Sequence, residues 1–217
     1  MADGPRWRAV PPPGGVPLDP LTGEPAPPSR RQSAVLMPLY ERDGEPQLLF
    51  IKRTDRVGLH KGEIGFPGGR IEPEDASPLA AALREAEEEL GIPPADVTPV
   101  GALTPVPTIV TSILIHPFVG RLDAPPTLRP DPFEVAEAIE VPLATLLDPA
   151  TYHEEEWLLR GVRRRVFIYR CGPHDIWGAT GRIVQQFLAR LETWPGHAPG
   201  TPWMLDDVER AMSESDE

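Results

Sequence analysis

Apolar residues fall in short runs along the chain and at helical spacing in two places. Ala34–Tyr40 is an almost unbroken apolar run and Gln47–Lys52 a second, with Asp43-Gly44 between them. That order reads as a strand, a tight turn and a returning strand. Val97–Leu103 and Thr111–Gly120 read as further strands, parted by the kinked Thr104-Pro105-Val106-Pro107. Ala138–Val141 reads as a short strand and Leu143–Leu147 as one or two helical turns. Glu155–Leu159 and Arg165–Arg170 read as a hairpin around Gly161. At about 100° per residue, Leu79, Leu83, Ala86 and Leu90 share one face of a helix. A last helix, residues 178–191, turns Ile183, Phe187, Leu188 and Leu191 inward. Strands first, one helix among them and one at the end predict an α/β fold, a mixed sheet covered by helices.

The two ends break this pattern. Residues 1–32 are rich in Pro and Gly and read as an extended tail that packs on the domain, over its site or on a partner subunit, which leaves room for a homodimer. Residues 33–195 carry the fold. Residues 196–217 read as an acidic tail with a short helix around Leu205–Met212. The 217 residues, 40% of them hydrophobic, suffice for one well-packed domain. A net charge of −12 excludes a general nucleic-acid binder, and no apolar run is long enough to span a membrane. The N-terminus lacks the apolar stretch of a secretory signal, and Cys171 alone cannot form an internal disulfide; both fit a reducing cytoplasm.

The chemistry concentrates in the first helix. Ser77 is a good N-cap, Pro78 suits the first helical position, and Gly91 followed by Pro93-Pro94 ends the helix. Glu85, Glu88 and Glu89 gather roughly opposite the apolar face, with Ala81 and Ala82 behind them and Arg84 on the flank. Spacings of three and four bring the carboxylates close enough to repel, at the end of the helix where the dipole also opposes them. Most such runs are solvated acidic faces. A divalent cation is the other reason for the crowding, and hard oxygen ligands suit Mg²⁺ or Mn²⁺ bridging to phosphate.

Gly69, Asp75, Arg84-Glu85, Glu88-Glu89 and Gly91-Ile92 together resemble the signature of the Nudix hydrolases. The family spaces its first acid seven residues before Arg-Glu; here eight residues separate Asp75 from Arg84. The loop is one residue longer and its acid is aspartate, which leaves the role of Asp75 open. The resemblance implies a Nudix fold, a curved mixed sheet sandwiched between helices, and metal-dependent pyrophosphohydrolysis. It further implies that Glu85, Glu89 and Glu88, with the Gly69 carbonyl, hold Mg²⁺ or Mn²⁺, Glu85 and Glu89 ahead of Glu88. Arg84 would orient the glutamates, and Glu134 and Glu137, on a later loop, are both candidates for a remote general base.

Upstream, Leu48-Leu49, Arg53, Gly62 and Phe66-Pro67-Gly68-Gly69 resemble the coenzyme A-directed branch of that family. Thr54 replaces the branch's Ser or Ala, and its second arginine would fall at Gly58, whereas Arg56 stands two residues earlier. Arg53, Arg56, His60 and Lys61 collect positive charge in an otherwise acidic chain, and arginine's fork can grip the 3′-phosphate of coenzyme A. His60 and Lys61 read equally as surface residues. The implied substrate groups are Arg53, Arg56, His60, Lys61, Gly68 and Gly69. The implied reaction splits coenzyme A into 4′-phosphopantetheine and adenosine 3′,5′-bisphosphate. Alternatives are ADP-ribose, dinucleotides or nucleoside triphosphates as substrate, or a non-catalytic ligand sensor. Trp177 reads as a core residue.

Overall fold

A computed structural model describes residues 31–56, 62–108, 113–159, 161–198 and 200–213. The sequence features at His60 and Lys61, the tail through residue 30 and residues 214–217 lie outside them. Strand β1 (Arg31–Arg42) is the axis of the main sheet. It pairs antiparallel with β2 (Glu45–Arg53) across the Asp43-Gly44 turn, where both residues have positive φ. Beyond β3 (Ile64–Gly65), the short strand β4 (Gly68–Arg70) returns against the start of β1, Ala34 opposite Gly69. Helix α1 (Pro78–Leu90) follows, then β5 (Val97–Ala102), β6 (Val106–Pro107) and β7 (Ile113–Leu122). β7 runs parallel to β1 and makes the sheet mixed. β8 (Val135–Pro142) closes the other edge on β2 and leads into α2 (Leu143–Leu147).

The apolar runs of β1 and β2 are near-continuous because both faces of the sheet are covered. Ala34, Leu36, Tyr40, Leu49 and Ile51 point toward α1, while Met37, Leu39, Leu48 and Phe50 join the larger core on the other side. A separate three-stranded sheet supplies part of that second layer: β9 (Tyr152–Leu159), β10 (Val162–Cys171) and β11 (His174–Ile176). Helix α3 (Gly178–Thr193) packs on it through Ile183, Val184, Phe187, Leu188 and Leu191. No helix among the described residues is long and apolar enough to cross a membrane.

Three sequence expectations change. The fold includes Arg31 and Gln32, which pair with Ile113 and Leu114 as part of β1. The C-terminal segment carries α4 (Leu205–Ser213), which is integral to the domain: its acidic face looks outward while Leu205, Val208, Ala211 and Met212 enter the large core. Finally, β8 starts at Val135, which puts Glu137 on a strand rather than a loop.

Candidate active site

Helix α1 is capped as its sequence dictates. The Ser77 hydroxyl accepts from the Ala80 amide at 3.1 Å, and left-handed Gly91 donates to the Glu87 carbonyl at 2.8 Å. The helix lies on β1 and β4 through Ala81, Ala82 and Ala86, and Leu79 and Leu83 are only half-buried. Three alanines, with Leu90 at the helix end, therefore form the inward face, and their small size lets the helix come close enough for its glutamates to reach the Gly68-Gly69 turn.

The three glutamates are not equivalent. Glu89 is buried (1% exposed) and accepts from the Gly68 amide at 2.8 Å and from Arg53 at 3.3 Å. Burial, and after it the neighbouring Glu85 and Glu134, push its carboxyl up to about 8, against the pull of the Gly68 amide and Arg53. Glu85 is also raised by burial, and its carboxylate lies where Gly69 lacks a side chain: a Cβ there would come within 2.5 Å of it. Glu88 faces solvent, its side chain 59% exposed.

Arg84 gathers this edge. It donates to Asp75 at 3.0 and 3.1 Å, to Glu85 and Glu88 at 2.9 Å each, and to the Arg70 carbonyl at 3.1 Å. Asp75 also accepts from the Glu72 amide at 2.8 Å, so the longer loop still brings its acid to the arginine. Arg84 holds the Asp75 carboxyl below the usual range.

The other candidates divide. Arg53 bridges Glu89 and Glu134, the latter at 3.8 Å, and Glu134 is fixed beside it by the Thr54 amide donating to the Glu134 carbonyl at 2.9 Å. Glu137 instead lies 3.4 Å from His174. Arg56 points away, over the exposed Phe133 ring at 5.7 Å. Glu134 thus joins the cluster, whereas Glu137 and Arg56 do not.

Gly68, Gly69 and Arg53 open onto a cavity of about 870 Å³. Its far wall comes from β9, β10 and the start of α3, with Trp157, Arg165, Phe167, Trp177 and Arg182. Trp177 is 37% exposed and leans on Trp157, with 5.3 Å between ring centres, so it lines the cavity and is not a core residue. Local sequence held no signal for this wall, because its members are spread over 26 positions and meet only when the second sheet docks.

A divalent cation fits the donor set. Two inward carboxylates, one of them buried and raised above its ordinary value chiefly by that burial, flank a glycine turn that a side chain would fill. Among the described residues no three His, Cys, Asp or Glu groups form a closed cage. Mg²⁺ needs none: it takes one or two carboxylates and completes its shell with water and substrate phosphate.

Residues 30–160 match the NUDIX domain family. The chain is 38% identical over 173 residues to a protein of Photorhabdus laumondii named "Uncharacterized Nudix hydrolase NudL", covering 77% of this chain and 91% of the relative. Its namesake in Escherichia coli K12 is 37% identical over 167 residues, covering 77% and 86%. Among solved structures, the Nudix hydrolase RenU of M. smegmatis superposes with a TM-score of 0.53 at 17% identity, over 78% of this chain and 90% of that one. A MutT/nudix family protein of Enterococcus faecalis gives 0.52 at 13% identity, over 76% and 63%. At those identities the two structures speak to the fold alone.

Proposed function

The chain belongs to the Nudix hydrolase family, whose members act on small-molecule diphosphates with the help of divalent cations, and from that premise we propose that it hydrolyses the diphosphate bond of coenzyme A or its derivatives. The observation that carries this reading is the buried Glu89 carboxylate, which accepts from the amide of Gly68, a residue that lines a large, mostly apolar cavity. Glu85 and Glu89, with the Gly69 carbonyl, would hold Mg²⁺ or Mn²⁺. Such a cation, when bound, neutralises the diphosphate and acidifies the attacking water.

The remaining work falls to the chain. Arg84, anchored on Asp75, holds Glu85 and Glu88 in place as a positioning residue. Glu134 is the base in this reading, since Arg53 ties it to Glu89 while Glu137 is engaged elsewhere. It accepts a proton from water as oxygen attacks phosphorus and the phosphoanhydride P–O bond breaks. The products are 4′-phosphopantetheine and adenosine 3′,5′-bisphosphate. Glu88, turned to solvent, is the weakest of the three as a ligand and is left to steer water.

Support for coenzyme A comes from the upstream segment, with Arg53 and Phe66-Pro67-Gly68-Gly69 in register with that branch, and from a cavity large enough for a ligand with two arms. One observation favours the competing substrates, ADP-ribose, dinucleotides or nucleoside triphosphates. Arg53, one of the cations expected to grip the substrate's phosphates, is already engaged by Glu89 and Glu134. A substrate panel with Mg²⁺ and with Mn²⁺, read by product mass, decides. Coenzyme A should give the highest kcat/KM and the two named products. Faster turnover of any of the others would remove coenzyme A from the assignment.

A further inference from the structure

Resting on that reading, we infer that Arg182, with Arg165 beside it, is a second anion site that takes a phosphomonoester of the substrate, namely the 3′-phosphate of a nucleotide whose 5′-diphosphate lies at Gly68-Gly69. Both arginines line the cavity, from β10 and α3 rather than from the glutamate helix α1. Arg182 is half-buried, stacked over the Phe167 ring at 5.0 Å, and among the described residues its only side-chain hydrogen-bond partner is Gln185, a neutral group at 3.1 Å. Its Nε is buried without a hydrogen-bond partner. Among the described residues, no carboxylate lies within ion-pair distance of it. The nearby Glu154 is committed to Arg165 at 3.2 Å and to the Tyr152 hydroxyl at 2.5 Å.

The local backbone makes this arrangement. Gly181 lets α3 approach β10 so closely that a Cβ there would stand 2.3 Å from the Phe167 carbonyl. That approach draws Arg182 onto Phe167 and out of bulk water. Burial, and then the like charge of Arg165, disfavour the charged guanidinium. A desolvated cation with an unused donor, beside a second cation and an open cavity, is a place where an incoming dianion gains most. It is also a local exception to a strongly acidic molecule. Trp177 offers a flat face for a base on the same wall. The assignment relieves Arg53 of a role its pairing with Glu89 and Glu134 makes costly.

The test needs no catalysis. Adenosine 3′,5′-bisphosphate and adenosine 5′-phosphate are titrated calorimetrically into the full chain in EDTA. The wild type should prefer the bisphosphate by about 10-fold or more, the usual worth of a charge-assisted pair. Arg182→Met, which keeps the stack on Phe167, should bring the ratio to within about twofold of one; Arg182→Lys should restore part of it. Arg165→Gln, at a 65% exposed side chain and so safe for folding, should lower the ratio less. Arg163→Gln, outside the cavity, should leave it unchanged. No preference in the wild type, or a ratio untouched by both Arg182→Met and Arg165→Gln, overturns the site. So does inorganic phosphate competing as well as the bisphosphate. If the ratio depends on Arg182 while coenzyme A is not hydrolysed, this site stands and the substrate assignment falls. The converse result leaves the substrate and removes the site.

Discussion

Arg84 and Arg182 each stand on a helix near the cavity, and their surroundings differ in what is already satisfied. Arg84 donates to three carboxylates and a carbonyl of its own chain, whereas Arg182 faces the cavity with a neutral glutamine and an aromatic ring. An arginine saturated within the chain cannot give up its bonds cheaply, so it orients other groups. An arginine left short of a counter-ion has its binding capacity in reserve. On the proposed reading, the glutamate edge is prearranged for chemistry and the second-sheet wall for recognition.

The largest effect expected from breaking this contrast is at Glu89. Glu89→Gln keeps an acceptor for the Gly68 amide and removes a charge that burial opposes, so thermal stability should hold or rise. Metal-dependent hydrolysis should fall by about 10³-fold or more. Thermal melts alongside product assays check both halves, and an active variant would place the cation elsewhere. EDTA should abolish wild-type turnover to the same degree.

Next come the two adjacent glycines, which should fail in different ways. Gly68 has φ of 154°, and a Cβ there would meet the Ala34 carbonyl at 2.3 Å, so Gly68→Ala should cost about 3 kcal/mol or more of folding stability. At Gly69 the atoms nearest such a Cβ belong to the Glu85 carboxylate, the far end of a flexible side chain that can swing aside. Gly69→Ala should therefore fold normally and lose activity by about 10²-fold, with weakened Mg²⁺ dependence. Equal losses of stability in both variants would mean that Glu85 has no freedom to move.

The smallest effect belongs to Asp75. It touches neither the cavity nor the glutamates and acts through Arg84. Asp75→Asn should lower kcat by about 10-fold, at the mild end for a supporting partner, with KM little changed. A KM effect as large as the kcat effect would make it a substrate contact instead.

Much of this was legible along the chain because it rests on short-range geometry. Ser77, Pro78 and Gly91 delimit one helix, and spacings of three and four on that helix gather Glu85, Glu88, Glu89 and Arg84. The strands β1 and β2 and the turn between them follow from an apolar run interrupted by Asp43-Gly44. The inward face of α1 was harder. Spacing places Leu79, Leu83, Ala86 and Leu90 on one face, and of these Ala86 and Leu90 are buried; closeness to a glycine turn adds Ala81 and Ala82, and no periodicity carries that preference. Trp177 was read as core because a large aromatic is usually buried, and only the docking of β9 beside it leaves it lining a cavity. The choice of Glu134 over Glu137 turns on which carboxylate Arg53 can reach.

The family, the mixed α/β architecture and the acidic helix are legible in the chain alone, since each is written in residues a few positions apart. Tertiary structure alone decided which glutamate is buried, what Asp75 holds, and that Arg165, Trp177 and Arg182 share a wall with one another and a cavity with Gly69. Those outcomes depend on burial and on contacts between residues far apart in the chain. Burial and long-range contact are properties of the packed whole, and no local stretch encodes them.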